Sequence, residues 1–211
     1  MRYISILIMM IYPLFADYKA NISHIPPHIK HKMLKGNSYH RGCPVGFEDL
    51  RYITLIYKNF KGKDKQGELI AHKDIAQSVV KLFKELYDIH YPIKQMRLVS
   101  DFGGNDWHSI EADNTSAFNC RNATGTNHFS KHAYGKAIDI NPIENPYISK
   151  TGHISHKASL KFRKRVHKNN TPQDKALIKT GDKALQIFEK YHFKWGGEWR
   201  YVKDYQHFEH R

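Results

Sequence analysis

Residues 130–139 are the most informative stretch of the chain and read Ser-Lys-His-Ala-Tyr-Gly-Lys-Ala-Ile-Asp. A second stretch, residues 204–209, reads Asp-Tyr-Gln-His-Phe-Glu. Together they contain His132, Asp139 and His207, which are two imidazoles and one carboxylate. A donor set of this kind holds a catalytic zinc ion and leaves its fourth position open. The spacing by itself is moderate evidence, because a chain with 15 histidines contains accidental His/Asp pairs.

The chemistry of such a site requires one more acidic residue. A bound metal polarises a carbonyl and lowers the pKa of water toward about 7, so that an amide can be attacked at neutral pH. A neighbouring carboxylate then acts as general base, and Asp204 lies three residues before His207. The chain has no His-Glu-x-x-His motif, so the sequence does not indicate a thermolysin-like enzyme.

A longer pattern connects these stretches and extends beyond them. It reads Ser130-x-His132-x-x-Gly135-x-Ala137-x-Asp139, then Trp195-Gly196-Gly197-x-Trp199, then Asp204-x-x-His207, with Phe118-Asn119-Cys120-Arg121 and Asn145-Pro146-Tyr147 in addition. Over residues 43–209 the chain thereby resembles the peptidase M15 family. This family comprises zinc D-alanyl-D-alanine carboxypeptidases and dipeptidases, and L-alanyl-D-glutamate endopeptidases. The pattern is most similar to the extracellular carboxypeptidase-like branch.

The resemblance implies a role for each key residue of the two stretches. His132, Asp139 and His207 would be the ligands of one Zn²⁺ ion, and Asp204 would be the catalytic carboxylate. Ser130 would bind substrate or support the site. The substrates would be peptidoglycan stem peptides, with D-alanyl-D-alanine carboxypeptidase activity as the main expectation. L-alanyl-D-glutamate endopeptidase activity is the alternative, because an Asp in place of Glu at position 204 is closer to the endopeptidase-like branches.

The family also uses an arginine to hold the substrate carbonyl and the developing oxyanion. Many relatives carry this arginine directly after the equivalent of Phe102, where this chain has Gly103. Arg121, 11 residues before His132, is therefore our candidate for both the catalytic and the substrate-binding role. Arg97 is the second candidate.

The remaining sequence predicts mixed strands and helices. Apolar and β-branched patterns predict strands near residues 50–57, 96–102, 118–121, 137–140 and 193–211, and helices at residues 74–87 and 174–191. These elements do not alternate regularly, so we expect an α+β fold and not a doubly wound sheet. The resemblance implies a small antiparallel sheet with flanking helices, as in the Hedgehog/DD-peptidase-like zinc peptidase fold.

The N-terminal sequence predicts an exported protein. Residues 1–16 have the order of a cleaved signal peptide, namely a basic residue, a short apolar run and a small residue. Residues 17–42, rich in His, Lys and Pro, are expected to form an exposed basic arm before a peptidase domain at residues 43–211. The mature protein would be periplasmic or extracellular, without stable membrane insertion. In an oxidising compartment Cys43 and Cys120 could form one disulfide, and two separate buried thiols remain the alternative.

The charge of the chain keeps other functions open. It has 34 Lys and Arg against 20 Asp and Glu, a formal net charge of +14, which favours anionic partners. A secreted basic nuclease or nucleic-acid binder is the alternative from another class, and a non-catalytic cell-wall binding module is a third. The basic residues are scattered, and a His/Asp/His set suits zinc better than magnesium. We therefore expect no nucleic-acid partner, and the sequence leaves the oligomeric state open.

Overall fold

The structure is a computed structural model, and it describes residues 18–166 and 168–210. The signal peptide expected at residues 1–16 lies outside the described residues. Within the part of the chain that the structure describes, no helix is both long and apolar enough to span a membrane.

Strands and helices are mixed along the chain, in agreement with the α+β expectation. The strands are β1 (Ala20–His24), β2 (Leu50–Lys58), β3 (Asp64–His72), β4 (Gln95–Met96), β5 (Asn114–Thr115), β6 (Ala137–Asp139), β7 (Tyr147–Ile148), β8 (Phe193–Trp195), β9 (Lys203–Asp204) and β10 (His207–His210). The α-helices are α1 (Pro27–Lys35), α2 (Ala76–Asp88), α3 (Asp106–Glu111), α4 (Pro172–Ala176) and α5 (Lys183–Lys190). Short 3-10 helices span Phe47–Asp49, Val99–Phe102, Lys131–Tyr134, Lys157–Phe162 and Gly196–Glu198.

Small antiparallel sheets organise the fold. One sheet has the order β1–β2–β3, in which β2 and β3 pair along their whole length from Leu50↔His72 to Lys58↔Asp64. A second sheet has the order β6–β10–β8 and is also antiparallel. The short strands β7 and β9 pair antiparallel, and β4 and β5 pair parallel.

A single hydrophobic cluster lies against both larger sheets. Helix α2 buries apolar residues at helical spacing, which are Ala76, Val79, Leu82, Phe83 and Leu86. The same cluster includes Ile53 and Leu55 of β2 and Phe208 of β10. Phe208 is fully buried and stacks on Phe188 of α5, with ring centroids 3.7 Å apart. This core therefore holds β10 in place from its apolar face.

The segment expected to be an exposed arm differs from that expectation. Strand β1 pairs with β2, and α1 buries Ile29 and Met33, the latter with none of its surface exposed. With Ile25 these residues recur every four positions, so one stripe of the segment packs against Leu98 and Phe118. The stripe is short and lies among His, Lys and Pro, which is why the composition suggested an arm.

Three other elements differ from the sequence predictions. The strand expected at residues 96–102 ends at Met96, and residues 118–121 form no strand although Phe118 and Cys120 are buried. The helix expected at residues 174–191 is divided into α4 and α5. Between them Leu177, in extended conformation, and Ile178 are both buried, and Gly181 adopts a φ of +87°. The positive φ of Gly181 is incompatible with a continuous right-handed helix.

A carboxyl pair is buried between the residue before β5, Asp113, and the loop after β6, which carries Glu144. Asp113 and Glu144 are both buried and hydrogen-bonded to each other, and Asp113 Oδ1 also accepts from the Ile143 amide at 3.1 Å. Burial, followed by the charge of Asp113, raises the pKa of Glu144 to about 9. Glu144 therefore keeps its proton at neutral pH and donates it to Asp113.

Cys43 and Cys120 form a disulfide with a Cα–Cα distance of 5.8 Å. The bond joins the segment before β2 to the residue that directly precedes Arg121. It spans 77 positions of the chain, so it restricts the unfolded chain strongly.

We expect the Cys43→Ala/Cys120→Ala variant to unfold with a free energy lower by about 4 kcal/mol, because the unfolded chain gains the entropy of the open loop. Urea titration followed by tryptophan fluorescence measures this change. Wild-type protein in reductant serves as the control and should have the same transition midpoint as the variant. Equal midpoints for the variant and the oxidised wild type would contradict a stabilising disulfide.

The Glu144→Gln variant should change how stability depends on pH. In the wild type the folded state retains the Glu144 proton up to about pH 9, whereas the unfolded chain loses it near the ordinary value of 4.5. The free energy of unfolding should therefore fall as pH rises through this window. Glutamine cannot ionise and still donates to Asp113, so we expect a flatter profile in urea titrations from pH 4 to pH 9. Glu189→Gln on the exposed face of α5 is the control, and equal slopes in all three proteins would disprove the shared proton.

Candidate active site

His132, Asp139 and His207 converge in the structure. All three are buried, and their potential ligand atoms lie within 4.8 Å of one another. His132 Nε2 is 3.2 Å from Asp139 Oδ2 and 3.1 Å from His207 Nδ1, and His207 Nδ1 is 3.1 Å from Asp139 Oδ1. Tetrahedral ligands at about 2.0–2.1 Å from a zinc ion would be about 3.3 Å apart. The nature and spacing of these donors thus fit a zinc ion.

Strand pairing and a capped turn position the three side chains. Asp139 ends β6 and His207 begins β10, and the two are direct partners in the antiparallel ladder. His132 lies in the 3-10 helix Lys131–Tyr134, whose first turn is capped by Ser130 Oγ accepting from the His132 amide at 3.3 Å. Gly135 ends this helix with a φ of +65°, and a Cβ there would lie 2.7 Å from the His72 amide nitrogen. Both the conformation and the close contact require glycine.

Further contacts orient the two imidazoles. His132 Nδ1 contacts the Ala117 carbonyl oxygen, which can only accept, so Nδ1 carries the proton and Nε2 is left for a metal. His207 Nε2 lies 3.6 Å from Glu209 Oε2. Each imidazole is thus held through one nitrogen while the other faces the centre of the cluster.

The charges around the cluster favour a cation. Burial lowers the pKa of His207. Hydrogen bonds to Asp139 and Glu209, together with the negative charges of Asp139 and Asp204, outweigh burial and raise this pKa to about 10. Burial also raises the pKa of Asp139, but the two histidines lower it well below its ordinary value. Negative surroundings that favour a protonated imidazole equally favour a metal ion at this position.

Asp204 stands beside the cluster with the properties of a proton-transfer group. Burial raises the pKa of Asp204 to about 7. The positive charges of His207 and Arg121 oppose this shift, and the negative charges of Asp139 and Asp106 add to it. Among the described residues its Oδ1 atom has no hydrogen-bond partner although it is buried. A carboxylate with a pKa near the working pH is well suited to general acid–base catalysis.

A cavity of about 530 Å³ brings the predicted site residues together. This volume is typical of ligand pockets, which measure about 300–1,000 Å³. All the first-choice site residues predicted from the sequence line it, namely Arg121, Ser130, His132, Asp139, Asp204 and His207. Trp199 lines it as well, with its ring 5.3 Å from that of His207, whereas Trp195 is buried in the core.

The two candidate arginines differ in their position relative to the cavity. Arg121 lines the cavity, where its Nη2 pairs with Asp106 Oδ2 at 2.8 Å and its Nη1 donates to the Asn122 carbonyl at 3.1 Å. Arg121 Nε is buried without a partner within the described residues. Arg97 is not among the described residues that line the cavity, and it pairs with Asp101 at 3.0 Å.

The sequence analysis missed one wall of the cavity. This wall consists of Asp106, Trp107 and Ile110 on α3 and Ile154, Ser155, His156 and Ser159 from the basic loop after β7. Trp107 and His156 contact each other across the cavity wall, with ring centroids 3.9 Å apart. Such contacts between distant loops leave no periodic signal. The length of the two irregular stretches was the available indication that they carry function.

Comparison with known proteins agrees with this geometry. Residues 124–210 match an M15 peptidase family model whose description is D-alanyl-D-alanine carboxypeptidase. No curated protein sequence and no solved structure gives a significant match to the chain. The matched segment contains His132, Asp139, Asp204 and His207, whereas Arg121 precedes it. Over these residues the match confirms the resemblance to the M15 peptidase family that was drawn from the sequence motifs.

Proposed function

We propose that this protein is a zinc-dependent peptidase that hydrolyses peptidoglycan stem peptides, with D-alanyl-D-alanine carboxypeptidase activity as its main reaction. The observation that carries the proposal is the convergence of His132, Asp139, His207 and Asp204 on one cavity. The family description supports the same substrate class. A nuclease, the alternative suggested by the charge of +14, has no comparable support.

Each of the following cavity side chains would have its own role in the reaction. His132, Asp139 and His207 would hold a zinc ion, which when bound would supply Lewis-acid chemistry toward the scissile carbonyl and lower the pKa of water. Asp204 accepts the proton of the attacking water and passes it to the leaving amine. The guanidinium of Arg121 stabilises the oxyanion, with Asp106 holding it in position. Ser130 caps the turn that carries His132 and contributes to substrate binding.

The proposed compartment is the periplasm or the extracellular space. A disulfide such as Cys43–Cys120 persists in oxidising compartments and is rare in the cytosol. The order of residues 1–16 is that of a secretory signal. We propose that the mature enzyme, without this segment, meets its substrate there.

The metal site predicts the zinc content of purified variants. We expect His132→Ala and His207→Ala to lose most of the bound zinc, because each removes one of three protein ligands. His28→Ala, which changes an exposed histidine of α1, is the matched control and should retain zinc as the wild type does. Zinc is measured by atomic emission after dialysis. Full zinc content in both ligand variants would refute the ligand assignment.

The catalytic role of Asp204 predicts a loss of turnover without loss of metal. We expect Asp204→Asn to lower kcat by about 10²–10⁴-fold, because amide oxygen is a poor proton acceptor. Zinc content and folding should be unchanged, and Asp88→Asn on α2 is the control. Activity is measured by mass spectrometry of digested muropeptides.

The muropeptide digest also distinguishes the candidate reactions. Loss of one alanine from the stem peptide supports the carboxypeptidase. Cleavage between L-alanine and D-glutamate supports the endopeptidase instead. This alternative is retained because Asp at position 204 is closer to the endopeptidase-like branches of the family. Intact muropeptides together with degraded plasmid DNA would overturn the proposal in favour of a nuclease.

A further inference from the structure

Buried polar atoms without partners are concentrated at the cavity. Within residues 18–166 and 168–210, eight buried side-chain polar atoms have no hydrogen-bond partner, and five of them belong to cavity-lining residues. These five atoms are Arg121 Nε, His156 Nδ1, Ser159 Oγ, Asp204 Oδ1 and Gln206 Oε1. Buried polar groups normally have partners. Their concentration here indicates that a bound molecule completes the hydrogen bonding.

The proposed reaction uses only some of these atoms. Arg121 and Asp204 act on the scissile bond, whereas His156 and Ser159 have no part in it. Ser159 is 1% exposed, and its amide donates to the His156 carbonyl at 3.0 Å, so the two residues belong to one turn. The His156 ring is held by its contact with Trp107 of α3, which is 47% exposed at the cavity mouth.

The side chains of His156 and Ser159 together suit an uncharged polar ligand. Burial lowers the pKa of His156 below its ordinary value, against the opposing charges of Glu111 and Asp106, so the imidazole is neutral at neutral pH. A neutral imidazole and a hydroxyl can together accept one hydrogen bond and donate another. A peptide unit offers one donor and one acceptor. Ile110 and Ile154 line the same wall and provide apolar surface for an alkyl side chain.

The direction of the substrate follows from the proposed reaction, on which this inference rests. A carboxypeptidase releases a single residue from the carboxyl side of the scissile bond, so the rest of a long peptide must extend to its amino side. The cavity continues from the metal-binding cluster to the wall formed by α3 and the loop after β7. This wall is therefore the available surface for the amino-terminal part of the substrate.

We propose that His156 and Ser159 form a substrate-specificity subsite, which binds a peptide amide of the substrate on the amino-terminal side of the scissile bond. The alkyl side chain next to this amide packs against Ile110 and Ile154. The subsite makes long stem peptides better substrates than short ones that share the same terminal D-alanyl-D-alanine.

Two synthetic substrates test the subsite, namely a stem pentapeptide ending in D-alanyl-D-alanine and a tripeptide lacking its first two residues. We expect Ser159→Ala and His156→Phe to lower kcat/KM for the pentapeptide about tenfold, the effect of one lost hydrogen bond. The tripeptide should be cleaved within about twofold of wild type, because it lacks the two peptide amides farthest from the scissile bond, one of which the subsite binds. Phenylalanine preserves the ring against Trp107. Ser149→Ala changes a half-buried serine of the same loop that does not line the cavity, and is the control.

Each result has a defined meaning. A pentapeptide-specific loss supports the subsite. If the variants lose kcat/KM equally on both peptides, the subsite is overturned. It is also overturned if the wild type has the same kcat/KM for both peptides and the variants do not change it. If wild-type protein cleaves neither peptide, the proposed function has failed, and calorimetric binding of the pentapeptide decides the subsite separately. Weaker binding by Ser159→Ala and His156→Phe would then support it, and unchanged binding would overturn it.

Discussion

The antiparallel pairing of β6 with β10 is the constraint on which the site depends. It places Asp139 opposite His207 and Ile138 opposite Phe208. Successive residues of a strand point to opposite faces, so a slip of one position would bring Phe208 toward the cavity and His207 toward the core. Phe208 is fully buried and stacked on Phe188, which opposes such a slip. Hydrophobic burial on one face of β10 therefore fixes the geometry of the proposed metal site on the other.

The third proposed ligand, His132, depends on a different part of the fold. The turn that carries His132 is joined to β3, because the His72 amide donates to the Gly135 carbonyl at 2.8 Å. The first sheet thus holds His132, while the second holds Asp139 and His207. Nearby, the disulfide fixes Cys120 directly before Arg121, the proposed oxyanion-binding residue. The cavity combines contributions from segments that are far apart along the chain.

The residues that the sequence assigned to the candidate site converge in the structure, whereas several of the predicted surrounding elements differ from it. His132, Asp139, Asp204 and His207 were identifiable because catalytic chemistry restricts residue types at fixed spacing. The packed stripe of α1 and the break between α4 and α5 were not, because each depends on which residues are buried. Ile25, Ile29 and Met33 are apolar in any conformation, but only contact with Leu98 and Phe118 makes them core.

By itself, the sequence predicted the candidate donor set, the candidate general base and the family resemblance, because these follow from the identity and order of a few residues. It left open the pairing of Cys43 with Cys120, the choice between Arg97 and Arg121, and the wall formed by Trp107, His156 and Ser159. Only the tertiary structure decided which of these residues meet. The reason is that their contacts cross long stretches of irregular chain, where neither helical nor strand periodicity relates position in sequence to position in space.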